Sequence, residues 1–291
     1  MEALLESAGR ANTDLIRCQA IYRKTTAEIG RMQLNCPAHG PFMSAGFSFG
    51  RVLTSGVFET SQRWSACQEC LDALQEKCRR AEAEAKAREL AYKIEERIAA
   101  AGVPQRFIGK TLVDYVAENE GQRRVLAVAH DYVERFARHR ERGDSLVFAG
   151  LPGTGKSLLS MLVLQELCRR DYGARYTTCQ GLIQAIRRTW GKEGEGREST
   201  VIDDFASTSL LVLDEIGVQA GTDNEKALLF DILDRRYAEM RPTIFATNLD
   251  KTHFQEFVGD RIWDRLTETA KWVPFGWESY RPRARREMAE A

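Results

Sequence analysis

The sequence predicts an α/β fold, in which residues 104–291 form a parallel sheet with helices on both faces and residues 1–103 form a smaller domain before it. Two observations predict the sheet: five short apolar runs alternate with helical periods, and a glycine-rich segment joins the first run to a helix. A third observation predicts the smaller domain, because two pairs of potential metal ligands lie within residues 36–70.

Charge and hydropathy exclude several classes of protein. The 291 residues contain 42 Lys+Arg and 42 Asp+Glu, so a contact with nucleic acid requires a local basic patch rather than an overall field. No apolar run approaches the roughly 20 residues that cross a bilayer, and no signal-peptide core is present near the start. We expect a cytoplasmic protein without a membrane partner, whose seven cysteines are metal ligands or buried thiols rather than disulfides.

Three stretches of the amino-terminal domain differ in composition. Residues 1 to about 35 carry apolar residues at helical spacing, which predicts one or two short helices. Residues 36–70 are rich in glycine and aromatic residues, which is typical of short strands and turns. Residues 71–101 are mostly Ala, Glu, Lys and Arg and predict a long, solvated helix. Gly102 and Pro104 end this helix, so we place the domain boundary after residue 103.

Two short motifs in the amino-terminal domain have the spacing of metal ligands. Cys36-Pro-Ala-His39 and Cys67-Gln-Glu-Cys70 each place two donors on one tight turn, and four such donors suit tetrahedral Zn²⁺. Four protein ligands close the coordination sphere, so we expect a structural zinc that contributes to folding. The alternative is a set of unrelated free thiols.

The carboxy-terminal domain contains alternating strands and helices. The candidate strands are residues 145–149, 175–178, 209–213, 243–247 and 271–275. The candidate helices are residues 158–170, 180–189, 224–237 and 251–269. This alternation favours parallel strands joined by helical crossovers.

The most specific motif follows the first candidate strand and reads Gly150-Leu-Pro-Gly-Thr-Gly-Lys156-Ser157. A glycine-rich loop between a strand and a helix turns its backbone N–H groups toward the phosphates of a nucleotide. Lys156 is expected to reach the β- and γ-phosphates, and the Ser157 hydroxyl to coordinate Mg²⁺. The predicted nucleotide-binding residues of this loop are Gly150, Pro152, Gly153, Thr154, Gly155, Lys156 and Ser157.

Two other candidate strands end in polar residues that are expected near this loop. Asp214 and Glu215 follow residues 210–213; we expect Asp214 to hold Mg²⁺ and Glu215 to accept a proton from the water that attacks the γ-phosphate. Asn248 follows residues 243–247, and its amide suits both that water and a γ-phosphate oxygen. The alternatives are a solvated acidic loop and a turn asparagine. No Asn-Lys-x-Asp segment follows, which favours ATP over GTP.

Together these motifs resemble the AAA+ ATPases, P-loop NTPases with a five-stranded parallel sheet, and among them the helicase-loader clade. Further segments are similar to the bacterial DnaC-type loaders, and the resemblance covers about residues 104–281. These segments are Leu210–Gln219, Asp234–Arg236, Arg241–Thr243, Arg261–Arg265 and Phe275–Arg281. Some loaders of this clade carry a cysteine module and others do not, so the amino-terminal domain departs from the metal-free pattern.

The resemblance implies roles for three arginines. Arg265 matches the arginine finger that completes the ATP site of a neighbouring copy, with Arg261 as the nearby alternative, so the chain is expected to oligomerise. Arg281 matches a second sensor that acts within its own subunit. Read without the family, these residues sit at helical i,i+4 spacings and would be interpreted as surface ion pairs: Asp260, Arg261, Asp264 and Arg265.

The resemblance also implies a contact with single-stranded DNA in residues 180–190. Arg187, Arg188 and Trp190 lie there, and arginine beside an exposed aromatic ring suits backbone attraction and base stacking. Packing of Trp190 in the core is the alternative.

These residues are compatible with three functions. The favoured one is an ATPase of DNA replication that uses ATP, Mg²⁺ and a zinc module to load a hexameric replicative helicase onto single-stranded DNA. The alternative is an IstB-like helper ATPase of transposition, against which the segments Phe275–Arg281 and Gly217–Gln219 argue. A zinc-containing DNA-binding regulator with a degenerate nucleotide site is disfavoured, because Lys156, Asp214 and Glu215 are all intact.

Overall fold

The computed structural model describes residues 26–52, 58–190, 197–217 and 222–282. The chain divides into two compact units, Met1–Leu90 and Ala91–Ala291, and each is described by itself. This division falls inside a long helix, whereas our boundary after residue 103 follows the end of that helix and stays a prediction. Within the described ranges, no helix is long and apolar enough to span a bilayer.

The first unit begins with an antiparallel three-stranded sheet: β1 (Thr26–Cys36), β2 (Gly40–Val52) and β3 (Phe58–Trp64), in that order. The helix predicted up to residue 35 is wrong for residues 26–35, while residues 1–25 lie outside the described residues. The reason is that Met32, Leu34 and Cys36 also alternate with period two, and pairing with β2 selects that period. Helix α1 (Gln68–Ala100) follows the sheet and confirms the long solvated helix.

The second unit is built on a five-stranded parallel sheet, which confirms the predicted fold class. Its strands are β4 (Ser145–Gly150), β5 (Ala174–Thr178), β6 (Leu210–Ile216), β7 (Thr243–Thr247) and β8 (Ala270–Phe275). They lie in the order β5-β6-β7-β4-β8. Because all five are parallel, their carboxyl ends share one edge of the sheet.

Helices cover both faces of this sheet. They are α2 (Glu120–Glu134), α3 (Phe136–Arg142), α4 (Lys156–Arg169), α5 (Cys179–Arg187), α6 (Arg197–Ser207), α7 (Asp223–Ala238), α8 (Lys251–Val258) and α9 (Asp260–Thr269). Neighbouring residues of β4 point to opposite faces: Phe148 packs with Leu162 of α4, and Val147 packs in the cluster that contains Ile232 of α7. The single helix predicted over 251–269 is two helices, separated at Gly259, whose φ is 82°.

Candidate nucleotide site and metal centre

The phosphate loop, residues 150–157, joins β4 to α4 at the carboxyl edge of the sheet. Two of its glycines are required by close approach and backbone conformation. A Cβ on Gly150 would lie 2.3 Å from the carbonyl oxygen of Phe275, and one on Gly153 would lie 2.1 Å from Oγ of Ser279. Both glycines also have positive φ, 156° and 80°. The loop therefore packs against the chain that follows β8.

Lys156 lies at the first position of α4 and its ammonium group contacts three oxygens. Nζ donates to the carbonyl oxygens of Gly150 at 2.7 Å and Leu151 at 2.8 Å, and to Oδ1 of Asn248 at 2.8 Å. Burial lowers the pKa of Lys156 to about 8, against the opposing attraction of Asp214. The structure thus brings the loop, Asn248 and the end of β6 together, as the strand ends predict.

The two carboxylates at the end of β6 have different surroundings. Asp214 is buried and accepts from the backbone N–H of Glu215 at 2.8 Å and from the hydroxyl of Tyr176 at 3.4 Å. Glu215 is exposed, with φ of 55°, and the register between β6 and β7 shifts between Leu213 and Ile216. This bulge turns Glu215 away from the regular strand while Asp214 stays against the sheet. The difference suits Asp214 as a fixed oxygen ligand and Glu215 as a group that meets solvent.

The carboxy-terminal segment, residues 276–282, lies against the phosphate loop. The backbone N–H of Tyr280 donates to the Gly153 carbonyl at 2.9 Å, and the indole N–H of Trp277 donates to the Thr154 carbonyl at 3.0 Å. A Cβ on Gly153 would also lie 3.4 Å from Cδ of Arg281, so Arg281 is beside the loop of its own chain. Its position suits the second sensor that the resemblance implies.

Sequence reasoning missed two of the side chains that contact this site, Tyr176 and Trp277. Their partners lie 38 and 123 residues away in the chain, so local spacing carries no signal for these contacts. Pro152, exposed in the loop, and Ser157, in the first turn of α4, lie where the motif places them.

Arg265 lies near the amino ends of the strands, on the side of the sheet opposite the phosphate loop. It pairs with Asp234 of α7, and its guanidinium carbon lies 5.2 Å from the ring centre of Tyr237. A cavity of about 230 Å³ that Arg265 lines is also lined by Ser145 and Thr243, the first residues of β4 and β7. Arg265 is therefore not brought together with the phosphate loop of its own chain. The ion pair of Arg265 joins α9 to Asp234 of α7, whereas spacing alone predicts ion pairs within α9.

Arg261 lies one turn before Arg265 on α9 and is exposed. Its guanidinium carbon is 5.9 Å from the ring centre of Phe230, and that of Arg265 is 5.4 Å from the same ring. Both candidates for the arginine finger thus flank one aromatic side chain of α7.

The predicted DNA-binding residues lie at the end of α5. Trp190 is 50% exposed and donates from its indole N–H to Oε2 of Glu198 at 2.8 Å, so it is not a core residue. Arg187 pairs with Glu225 at 3.1 Å, and Arg188 is exposed. An aromatic ring and two arginines are therefore exposed near the end of this helix, with Arg187 and Trp190 each paired to a glutamate.

The four predicted zinc ligands converge in the first unit. The ligand atoms of Cys36, His39, Cys67 and Cys70 all lie within 4.8 Å of one another. Nδ1 of His39 is 3.6, 3.6 and 3.3 Å from the three sulfurs, and the sulfurs of Cys36 and Cys70 are 3.5 Å apart. A zinc ion about 2.3 Å from each sulfur separates tetrahedral ligands by about 3.5–3.8 Å, so this donor set fits the ion.

The surroundings of this cluster support a metal centre. Nε2 of His39 lies 3.5 Å from a carboxylate oxygen of Glu69, which leaves Nδ1 facing the thiols. Hydrogen bonds, first that from the backbone N–H of Ala38, lower the pKa of Cys36 to about 6, while the hydrogen bond with Cys36 raises the pKa of Cys70. Among the side chains described in this unit, the buried ones are Cys36, Ser44, Cys67 and Leu71. Because this core is small, we expect the cluster to contribute much of the stability of the unit.

Comparison with known proteins gives one family and several close relatives. A family model described as IstB-like ATP binding protein matches residues 67–288. The replicative helicase loader DnaC of Escherichia coli (strain K12) is 36% identical over 171 residues, which cover 58% of this chain and 68% of that protein. The replicative helicase loader DnaC of Buchnera aphidicola subsp. Acyrthosiphon pisum (strain APS) is 30% identical over 192 residues, 66% of this chain and 77% of that protein.

Solved structures support the same fold. The crystal structure of the DnaC helicase loader matches with a TM-score of 0.53 at 23% identity, over 59% of this chain and 99% of that one. The crystal structure of DnaI matches with a TM-score of 0.50 at 19% identity, over 61% of this chain and 93% of that one. The family match spans most of the chain, and the sheet order, the phosphate loop and the acidic strand agree with it. The chain belongs to the family of IstB-like ATP binding proteins and, within it, to the DnaC-type AAA+ ATPases.

Proposed function

We propose that this protein loads a hexameric replicative helicase onto single-stranded DNA and uses ATP as the switch. The observation that carries the proposal is the convergence of Lys156, Asp214 and Asn248 at one sheet edge in a chain whose 36% identical relative is a replicative helicase loader. The convergence of these residues supports a function that depends on a nucleotide. The similarity to a helicase loader supports a helicase as the partner.

The residues of the nucleotide site would have different roles. The loop N–H groups and the start of α4 would bind the β-phosphate, while Lys156 exchanges its carbonyl partners for phosphate oxygens. Ser157 and Asp214 would hold Mg²⁺, which neutralises phosphate charge when bound. Glu215 would accept the proton of the attacking water, and Asn248 would orient that water.

Assembly of several copies would complete the site. Because Arg265 lies far around the sheet from its own loop, its proposed action as the finger requires a neighbouring copy. Arg281 would sense the γ-phosphate within its own chain, since it already lies against Gly153. Hydrolysis would then depend on subunit packing, and DNA held through Arg187, Arg188 and Trp190 would favour that packing.

The zinc module is proposed to serve partner docking. Zn²⁺ held by Cys36, His39, Cys67 and Cys70 would fix the sheet of the first unit against the start of α1. A rigid module of this kind suits a contact with the helicase or with DNA. Because both proposed partners act at replicating DNA, the cytoplasm stays the predicted location.

The test is a loading assay with the replicative helicase of the host and a single-stranded DNA circle. We expect the protein with ATP to transfer the helicase onto the circle, and the Lys156→Ala variant, which loses ATP binding, not to do so. Failure of the wild-type protein to bind or transfer the helicase would contradict the proposal. A transposition helper, which the description of the family model keeps as the second candidate, would instead bind duplex DNA and activate a transposase.

A further inference from the structure

The carboxy-terminal segment contacts the phosphate loop at two successive carbonyl groups. Tyr280 donates its backbone N–H to the Gly153 carbonyl, and Trp277 donates its indole N–H to the Thr154 carbonyl, at 2.9 and 3.0 Å. In addition, Oγ of Ser279 occupies the space that a Cβ on Gly153 would need. Two carbonyl groups of the loop are thus held by residues that follow the last strand of the sheet.

Holding these carbonyls fixes the donors on the opposite side of the loop. In a planar trans peptide the C=O and the following N–H point in opposite directions. The Gly153 carbonyl shares its peptide with the N–H of Thr154, and the Thr154 carbonyl shares its peptide with the N–H of Gly155. With both carbonyls bound to this segment, these two N–H groups point away from it, toward the side of the loop on which phosphate oxygens would bind.

Of the two contacts, the one from Trp277 depends on its side chain. A backbone N–H at position 280 is available from any residue except proline, whereas an indole N–H requires tryptophan. Neighbouring residues hold the indole ring in place. Its centre lies 5.0 Å from the ring centre of Phe275, and a Cβ on Gly121 of α2 would lie 3.1 Å from its Cε3 atom. Trp277 therefore has a set orientation toward the loop.

We propose that Trp277 is a positioning residue for ATP binding: its indole N–H holds the Thr154 carbonyl and so presets the amide donors of the phosphate loop. This inference rests on the proposed nucleotide site and assigns it a residue outside the loop and the strand ends. It also links α2, through Gly121, to the geometry of the loop.

Trp277→Phe tests the proposal, because phenylalanine keeps an aromatic ring and removes the N–H. We expect the affinities for ATP and ADP to fall by about five- to tenfold, the effect of one lost hydrogen bond, while the affinity for AMP, which has no β-phosphate, stays the same. Trp263→Phe is the matched control, since Trp263 packs on Phe254 of α8 at 6.3 Å, and it should bind all three nucleotides as the wild type does.

Three results would overturn the inference. ATP binding by Trp277→Phe equal to that of the wild type would show that the N–H has no role. Equal losses for ATP and AMP would show a packing role. If Trp277→Phe does not fold, Gly121→Ala provides the second test, because its methyl group would lie 3.1 Å from Cε3 of Trp277 and would shift the indole by a few tenths of an ångström. We expect ATP and ADP binding to weaken by about two- to threefold and AMP binding to stay unchanged. Unchanged ATP binding would count against the inference. Lack of ATP binding by the wild type itself would instead refute the nucleotide site and this inference with it.

Discussion

Lys156 combines a cationic head group with a partly desolvated position, and this combination makes nucleotide binding sensitive to pH. Three oxygen acceptors contact its ammonium group, yet burial still lowers its pKa to about 8 from an ordinary value near 10.5. The charged form is the one that attracts phosphate oxygens. A bound triphosphate would raise this pKa again, so proton uptake and ATP binding are coupled.

We therefore expect ATP affinity to be constant below about pH 7 and to weaken as pH rises through about 8, by roughly tenfold at pH 9. The sign follows from the lowered pKa, because the free protein loses the Lys156 proton before the complex does. Calorimetric titration with ATP and Mg²⁺ across this range measures the effect. Lys156→Arg is the control, since a guanidinium stays charged, and its affinity, though lower, should not change with pH. A flat profile for the wild type would contradict the prediction.

The elements differ in how far the sequence predicts them, and the reason is physical. Strands β4, β6 and β7 lie inside the sheet and are almost wholly buried, so each is an apolar run that period and length identify. The edge strands β5 and β8 are only partly buried and contain polar residues, so their place between helical periods identifies them instead. Strand β1 is exposed along most of its length, and there helical and strand periods coexist until pairing with β2 decides between them. In the same way, Asp214 and Asn248 could be assigned to the site because they lie at the ends of predicted strands. Tyr176 and Trp277 reach the site only through tertiary packing, which the sequence does not show.

We expect the sheet of the first unit to depend on the zinc ion that its cysteines and histidine would hold. Cys36 ends β1 and Cys70 lies in the first turn of α1, so a zinc ion between them would tie strand to helix. Cys67→Ser removes one of three sulfur donors, and we expect bound zinc to fall by at least half and residues 26–90 to become sensitive to protease. Atomic absorption and limited proteolysis measure the two effects. Cys78→Ser is the matched control, because Cys78 is exposed on α1 outside the cluster. Unchanged zinc in Cys67→Ser would refute the four-ligand assignment.

At the scale of the whole molecule, the two halves of the proposed catalytic site lie on opposite edges of one sheet. Glu215 follows the carboxyl end of β6, whereas Arg265 lines a cavity at the amino ends of β4 and β7. Within one chain the fold therefore keeps these two groups apart. A contribution from a neighbouring copy, as we propose, would leave no signal in local spacing, which is why only the resemblance to known ATPases predicts it.

This arrangement predicts complementation between two inactive variants. Glu215→Gln should bind ATP and lose about 10²- to 10⁴-fold in hydrolysis, and Arg265→Ala should bind ATP normally and lose stimulated hydrolysis about as strongly. In an equal mixture, a site is active when an Arg265→Ala chain supplies Glu215 and its neighbour, a Glu215→Gln chain, supplies Arg265. Random assembly makes about a quarter of the sites active, so hydrolysis should return to about a quarter of the wild-type rate. If Arg265 acted within its own chain, the mixture would stay inactive. Repeating the mixture with Arg261→Ala in place of Arg265→Ala separates the two candidate fingers, because only the true finger gives an inactive variant that the mixture restores.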